Sequence, residues 1–161
     1  MNGETVDLKK LLDEHPFTHG LPEDDLEQLA AVAHVQNFEP GAYLLREGRV
    51  IDSFYLIISG HAAVELYLPE RGVLRLQTLG PGDVAGWSWA LPSRKASFDI
   101  RAIDKVTAVV LDAQALVNLF ASDCGLGYRF LQKLLGVVAE RVRAARLQLL
   151  DMYAAPVGGM Q

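Results

Sequence analysis

Four histidines and one cysteine are the side chains of this chain best suited to metal binding or nucleophilic catalysis: His15, His19, His34, His61 and Cys124. A metal-dependent oxygenase built on a β-barrel needs an inward-facing His-x-His pair, a carboxylate and a later histidine, and the sequence contains no such pair. Pro16 interrupts the helical spacing between His15 and His19, so we expect these two rings to cap a helix or face solvent. The histidine spacing therefore predicts no metal site.

The chain also lacks the common signatures of nucleophilic enzymes. It has no Gly-x-Ser-x-Gly elbow and no phosphate-binding P-loop, and no base is paired with Cys124 in the sequence. We expect Cys124 to be a buried residue near the start of a helix, and a single cysteine excludes a disulfide framework within the chain. No catalytic residue is assigned, and we expect that the protein is not an enzyme.

Composition and charge narrow the class of protein further. The 161 residues suffice for one domain with a sizeable core, and a hydrophobic content of 50% excludes disorder. No apolar run approaches the ~18 residues that span a bilayer, and the first residues lack the profile of a secretion signal. The net charge of −5 disfavours a protein that binds the phosphate backbone of nucleic acids. We expect a cytoplasmic protein with no membrane partner.

Hydrophobic periodicity divides the chain into helices, then strands, then helices. Two helical pieces are predicted within residues 5–33, with a break at 15–20. Between residues 35 and 111 short strands are predicted. Seven glycines lie between residues 41 and 86, most of them roughly 8–12 residues apart, which is typical of a sandwich or barrel. The run 54–58 is apolar throughout and is expected to be a central strand covered on both faces. Asp112 is expected to cap a short helix that follows it.

A long helix is predicted from about residue 124 to 152. About 28 residues at 1.5 Å each extend ~42 Å, which exceeds the width of so small a domain. Apolar residues alternate at +4 and +3 spacing, the 3.5-residue period of a two-helix seam: Leu131, Leu135, Val138, Val142, Ala145, Leu149 and Met152. This stripe predicts a homodimer; the alternative is a helix that lies wholly on its own barrel. A second stripe of Phe130, Leu134 and Val137 is expected to face the barrel, and a close helix crossing is expected at Gly136.

Four segments resemble the cyclic-nucleotide-binding domain shared by bacterial catabolite activators, kinase regulatory subunits and gated channels. They are Phe38-Glu39-Pro40-Gly41, Arg46-Glu47-Gly48, the strand from Asp52 to Gly60, and the turn from Leu79 to Gly86. The resemblance implies an α+β, mainly β fold: a double-stranded β-helix or jelly-roll barrel with N-terminal helices and a long C-terminal dimerisation helix. The expected domain spans residues 1–152, with the barrel at about 34–111, the C-terminal helices at about 112–152 and a flexible tail at 153–161.

The phosphate-binding cassette of that family departs from its usual form in this chain. The resemblance implies a Gly-Glu pair, a short helix, and an Arg followed by a small residue, where the Glu accepts from a ribose hydroxyl and the Arg neutralises a cyclic phosphate. Gly86 and Ser97 match, but Trp87 stands where the Glu belongs and Ala96 where the Arg belongs. A one-residue shift of register would place Lys95 there instead, as a point charge that cannot form a bidentate contact. An indole offers no acceptor. The helix hydroxyls that contact adenine in the catabolite activator align near Ala145 and Arg146, which offer none.

Two interpretations of this segment stay open. In the first, the barrel binds a different small anionic, nucleotide-like effector through amides of the short helix, hydroxyls and a cation, with an indole stacked on a flat ring. In the second, Trp87 and Trp89 fill the old pocket, and the protein is a ligand-free dimerisation or interaction scaffold. The candidate ligand-binding residues are Gly86, Trp87, Ser88, Trp89, Ala90, Arg94, Lys95, Ala96 and Ser97. No cofactor is assigned; a cyclic nucleotide or another small anion is the candidate ligand.

The output expected from the resemblance is a protein partner. In the activators a winged helix-turn-helix follows the long helix, whereas here only residues 153–161 follow it. We therefore expect a stand-alone regulatory module that signals to a protein and does not bind DNA by itself. The alternative is a transcription regulator of which this chain is one part.

Overall fold

The structure, a computed structural model, describes residues 6–154. Helices precede and follow a block of strands, as the periodicity predicts. The elements are α1 (Leu8–Glu14), α2 (Glu23–Ala31), β1 (Ala33–Phe38), β2 (Tyr43–Leu45), β3 (Ser53–Ser59), β4 (Ala62–Leu68), β5 (Gly72–Leu79), β6 (Val84–Ala85), a short 3₁₀ helix (Trp87–Ala90), β7 (Asp99–Ala102), β8 (Val106–Asp112), α3 (Ala113–Ser122) and α4 (Cys124–Ala154).

The eight strands form two four-stranded antiparallel sheets that enclose a jelly-roll barrel. Sheet A has the order β1-β8-β3-β6 and sheet B the order β2-β7-β4-β5. The consecutive strands β3 and β4 lie in different sheets, as do β6 and β7, so the chain repeatedly crosses between the two sheets. This topology confirms the α+β, mainly β jelly-roll fold expected from the sequence.

Sheet A is covered on both faces by buried clusters. On β3, Phe54 and Leu56 belong to a cluster shared with the helices, here called the helix-facing cluster. Tyr55 and Ile57 belong to a second cluster between the two sheets, here called the inter-sheet cluster. Because alternate side chains of a strand point to opposite faces, a strand that is apolar at every position must be covered twice. β3 lies between β8 and β6 in its sheet, so the prediction of a central strand is confirmed.

The helices α3 and α4 cover the outer face of sheet A. The carboxylate of Asp112 caps α3 by accepting from the Ala115 amide at 2.7 Å, as expected. The 31 residues of α4 extend ~46 Å, and its first half adds Phe130 and Leu134 to the helix-facing cluster. After Leu134 none of the residues of α4 that the structure describes is buried. From residue 142 onward every described residue of α4 is exposed, so this last part of the helix projects beyond its own barrel.

One sequence expectation about a single residue is met in part and another is wrong. His15 is the C-cap residue of α1, as one of the two expected roles requires, but it is 4% exposed because the turn after α1 folds its ring against β3. Cys124 is exposed instead of buried. It is the first residue of α4, and the buried face of that helix begins two residues later, at Leu126.

The C-terminal helix extends beyond its expected end at residue 152. α4 continues to Ala154, so the first two residues of the expected tail are helical, and residues 155–161 lie outside the described residues. Within residues 6–154, no helix has the length and apolarity needed to cross a bilayer. Nor does that part of the chain bring together three or more His, Cys, Asp or Glu side chains that could hold a metal ion.

Candidate functional site

Gly86 turns the chain from β6 into the short 3₁₀ helix. Its φ is +82°, in the left-handed region that glycine adopts without strain. A Cβ at this position would lie 2.6 Å from the carbonyl oxygen of Ser53 on β3. Any other residue would therefore need both a strained backbone and a displacement of β3. The turn fixes where the short helix starts relative to sheet A.

Trp89 packs the short helix against the two C-terminal helices. Its side chain is 3% exposed and belongs to the helix-facing cluster. The ring centroid lies 5.9 Å from that of Phe120 on α3 and 6.4 Å from that of Phe130 on α4, and these two phenylalanines lie 5.1 Å apart. Such tilted aromatic pairs contribute about 0.5–1.5 kcal/mol each beyond the burial of their area. The short helix is thus in direct contact with both helices that follow the barrel.

The two indoles differ in their degree of burial but contact the same cluster. Trp87 is half-buried and packs against the helix-facing cluster, where Trp89 is fully buried. The indole Nε1–H of Trp89 is buried and has no hydrogen-bond acceptor among the residues that the structure describes. Neither indole belongs to the inter-sheet cluster. Both rings therefore pack towards the helices and away from the space between the sheets.

The loop after the short helix pairs with the loop between β2 and β3. The Ile51 amide donates to the carbonyl of Arg94 at 2.6 Å, and the Gly48 amide donates to the carbonyl of Ala96 at 2.8 Å. Arg94 has a φ of +49°, which makes it the sole non-glycine residue with a positive φ within residues 6–154. Backbone strain of this kind costs about 1–3 kcal/mol and persists only where neighbouring contacts enforce it.

The nine candidate ligand-binding residues form a continuous segment, but they do not share one environment. Gly86, Trp89 and Ala96 are buried; Trp87, Ser88 and Arg94 are half-buried; Ala90, Lys95 and Ser97 are exposed. Ala96, which the resemblance places at the family Arg position, is a buried residue with no charge. The polar side chains of the segment are half-buried or exposed, so they are accessible from solvent: Ser88, Arg94, Lys95 and Ser97.

Sequence reasoning missed a cation that approaches this segment from α4. The Arg141 guanidinium donates from Nη2 to the carbonyl oxygen of Val84, two residues before Gly86. Burial lowers the pKa of Arg141, and the nearby carboxylate of Asp83 opposes that shift. The signal was present in the stripe Phe130, Leu134 and Val137, because Arg141 is its next member and faces the barrel.

A second charged group lies on sheet B. Glu65 is 6% exposed and accepts from Arg101 Nε at 2.8 Å and Nη2 at 3.2 Å. This bidentate salt bridge raises the pKa of Arg101, chiefly through the side-chain hydrogen bond to Glu65. Because the two charges already neutralise each other, the Arg101 guanidinium is not free to balance the charge of an anion.

The predicted seam of α4 is accessible in the single chain. Its larger members are exposed, from 44% at Leu131 and Val142 to 76% at Met152. Val138 is half-buried, and Ala145 is exposed. The second stripe faces the barrel as predicted, with Phe130 and Leu134 buried. Nothing in the described residues comes within 4 Å of a Cβ placed on Gly136, so the chain itself does not supply the close crossing expected there.

Comparison with known proteins agrees with the barrel fold. The family model of the cyclic nucleotide-binding domain matches residues 35–123, which is more than half of the chain. A cyclic nucleotide-binding domain from Methylobacillus flagellatus superposes with a TM-score of 0.78 at 21% identity, covering 96% of this chain and 85% of that one. At that identity the superposition shows a shared fold.

Two curated relatives are longer proteins. The HTH-type transcriptional regulator Cmr of Mycobacterium tuberculosis is 30% identical over 140 residues, covering 85% of this chain and 54% of that protein. The cGMP-dependent protein kinase, isozyme 1, of Drosophila melanogaster is 31% identical over 116 residues, covering 69% of this chain and 15% of that protein. The chain therefore spans about half the length of the first relative and a small part of the second.

Proposed function

This chain belongs to the cyclic nucleotide-binding domain family, and on that premise we propose that it is a regulatory sensor module for a small anionic, nucleotide-like effector. The effector binds at the barrel beside residues 86–97. The signal passes through α4, which forms a homodimer, to a protein partner. The role is regulatory and not catalytic.

One observation carries this proposal: the contact of Trp89 with Phe120 and Phe130. Because these rings join the short helix to α3 and α4, a displacement of the short helix must move or break aromatic contacts on both. A ligand can shift such a two-state element only by its difference in affinity for the two positions. The aromatic contacts give the short helix a physical route to the exposed seam.

The chemistry of the segment argues against cyclic AMP bound in the usual manner. Trp87 has no acceptor for a ribose hydroxyl, and Ala96 has no charge for a phosphate. Loss of one buried, charge-assisted partner typically costs ~2–5 kcal/mol, which turns a micromolar ligand into a very weak one. We therefore propose a different anionic effector, whose contacts include the accessible side chains of Ser88, Arg94 and Ser97.

Two other functions have support of their own. The burial of Trp89 in the helix-facing cluster favours a ligand-free dimerisation scaffold, because its indole already fills a core position. The likeness to a transcriptional regulator, of which this chain covers 54%, favours a role as the sensing part of a longer regulator. In the second case the partner of α4 would be another part of the same polypeptide.

Intrinsic fluorescence offers a direct test, because both tryptophans of the chain lie in the short helix. We would titrate the protein with 3′,5′-cyclic AMP, 3′,5′-cyclic GMP, cyclic di-GMP and linear AMP, and record thermal unfolding in parallel. The sensor function predicts a saturable change in emission with one probe. At 100 times its dissociation constant, that probe should add ~2.7 kcal/mol of stability.

The outcome separates the candidate functions. A flat response to all four probes in both measurements would refute the nucleotide-like sensor and favour the scaffold. Trp89→Phe leaves Trp87 as the single reporter, so a retained signal in that variant assigns the response to the half-buried indole.

A further inference from the structure

Arg141 is a charged residue in a position where α4 otherwise buries apolar side chains. It follows Phe130, Leu134 and Val137 along the stripe that faces the barrel, and its side chain is half-buried against β6. Val84, whose carbonyl it contacts, is 2% exposed and belongs to the helix-facing cluster. The guanidinium therefore lies at the junction of α4, β6 and the turn at Gly86.

The charge of Arg141 lacks a matching carboxylate. Arg101 and Arg129 pair with Glu65 and Asp25, and Arg143 pairs with Glu140. Within residues 6–154, no carboxylate oxygen lies within 4.0 Å of the Arg141 guanidinium. A guanidinium has five N–H donors, and one carbonyl oxygen satisfies one of them. Keeping a partly buried cation without an ionic partner is unfavourable unless an anion joins it.

The nearest acidic group does not remove this imbalance. Asp83 lies close enough to favour the charged form of Arg141, but its Oδ2 accepts from the Gly80 amide at 2.8 Å and its side chain is exposed. The remaining cations of the segment are placed differently. Lys95 is exposed, and the backbone of Arg94 is held by Ile51. Arg94 and Lys95 belong to the loop after the short helix, whereas Arg141 belongs to α4.

We propose that Arg141 is the specificity-determining cation that binds the anionic group of the effector, in place of the charge missing at Ala96. This inference rests on the proposed function and names the residue of α4 that meets the ligand. Guanidinium groups bind phosphate and carboxylate groups through two parallel N–H bonds, so the anion can use donors that the Val84 carbonyl leaves free. Because Arg141 belongs to α4, the bound anion would link the turn at Gly86 directly to the seam helix.

The competing role for Arg141 is structural. β6 is the edge strand of sheet A and pairs with β3 on one side. A guanidinium that caps the free Val84 carbonyl would stabilise this edge without any ligand. The two roles differ in one respect: only an anion-binding residue makes stability depend on a specific anion.

The test compares three variants with the wild-type protein: Arg141→Gln, Arg141→Lys and the control Arg143→Gln. Arg143 lies on the same helix, is 70% exposed and pairs with Glu140, so its removal changes the net charge equally without touching β6. Thermal unfolding is recorded in inorganic phosphate and in chloride at matched ionic strength, together with the nucleotide titrations described above. Matched ionic strength equalises charge screening. The general stabilising effect of phosphate acts on every variant alike, so the difference between the Arg141 variants and the control Arg143→Gln isolates the part that depends on Arg141.

We expect phosphate to stabilise the wild-type protein and Arg143→Gln alike. Arg141→Gln should lose this stabilisation, with at least a tenfold weaker apparent affinity for phosphate. Arg141→Lys should retain part of it, because a lysine keeps the charge but cannot form two parallel hydrogen bonds to the anion. The same order is expected for any nucleotide that binds. The inference is overturned if Arg141→Gln responds to phosphate as the wild type does, or if the wild type does not respond at all. Arg141 would then have only the structural role of stabilising the edge strand β6. A phosphate response that depends on Arg141, together with no response to any of the four nucleotides, would support the inference and refute a nucleotide-like effector.

Discussion

Replacement of Gly86 by alanine tests whether the turn before the short helix is held as tightly as its geometry indicates. The substitution adds one methyl group at a φ of +82°, and that Cβ would lie 2.6 Å from the Ser53 carbonyl oxygen. The obstacle is a backbone atom of β3, a central strand, and not the end of a flexible side chain. Relief therefore requires movement of the sheet or of the turn.

The expected loss of stability has two parts. The left-handed conformation costs a residue with a side chain about 1–2 kcal/mol, and forcing an extra methyl group into a filled site costs about 1–3 kcal/mol. Together these give a loss of about 2–5 kcal/mol for Gly86→Ala. Gly48→Ala is the matched control, because Gly48 has a φ of +80° but no atom of the described residues lies within 4 Å of the place its added Cβ would take. It should lose the conformational part alone.

Urea denaturation of the two variants and the wild type, at one protein concentration, measures the difference. Alanine also restricts the unfolded chain, which offsets about 0.4–1 kcal/mol, but this contribution is common to both variants and cancels between them. Gly86→Ala should be less stable than Gly48→Ala by at least about 1 kcal/mol, with similar denaturant slopes. Equal stabilities would refute the close approach of Gly86 to β3, and with it the fixed position of the short helix.

Two further predictions concern His15 and the seam. His15 is buried, its Nε2–H donates to the Ile57 carbonyl and its Nδ1 accepts from the Phe17 amide. Burial lowers the pKa of His15, against the opposing effects of the Ile57 carbonyl and Asp83, so its stability contribution is complete above the ordinary pKa of about 6.5 and decreases as the pH falls below it. Urea denaturation between about pH 5 and 8 should show this slope, and His15→Gln should flatten it; identical slopes would contradict the assignment. For the seam, Leu149→Arg should convert a dimer to a monomer in sedimentation velocity, whereas Leu147→Arg, similarly exposed but on the opposite face of α4, should not. A monomeric wild type, or equal effects of the two changes, would refute the seam.

Much of the fold could be predicted because it depends on local periodicity. The apolar run of β3 requires cover on two faces wherever the strand lies, and the structure supplies both clusters. The carboxylate of Asp112 caps the helix that starts one residue later, since a cap contacts amides within its own turn. The stripe Phe130, Leu134 and Val137 faces the barrel because residues three and four apart share a helix face.

The candidate site was predictable only in its position along the chain. The turn at Gly86 and the departures at Trp87 and Ala96 follow from the sequence and its resemblance to a family. The burial of His15 did not follow, because its partner Ile57 lies 42 residues away. Arg141 was missed for the same reason, since Val84 is 57 residues away in sequence.

The sequence by itself determined the order of helices and strands, the two stripes of α4 and the uncharged side chains at residues 87 and 96. Only the tertiary structure decided that both indoles face the helices, that Trp89 meets Phe120 and Phe130, and that a cation from α4 reaches the turn. The physical reason is that periodicity specifies which side of an element is buried. The relative placement of distant elements then decides what each buried side chain touches.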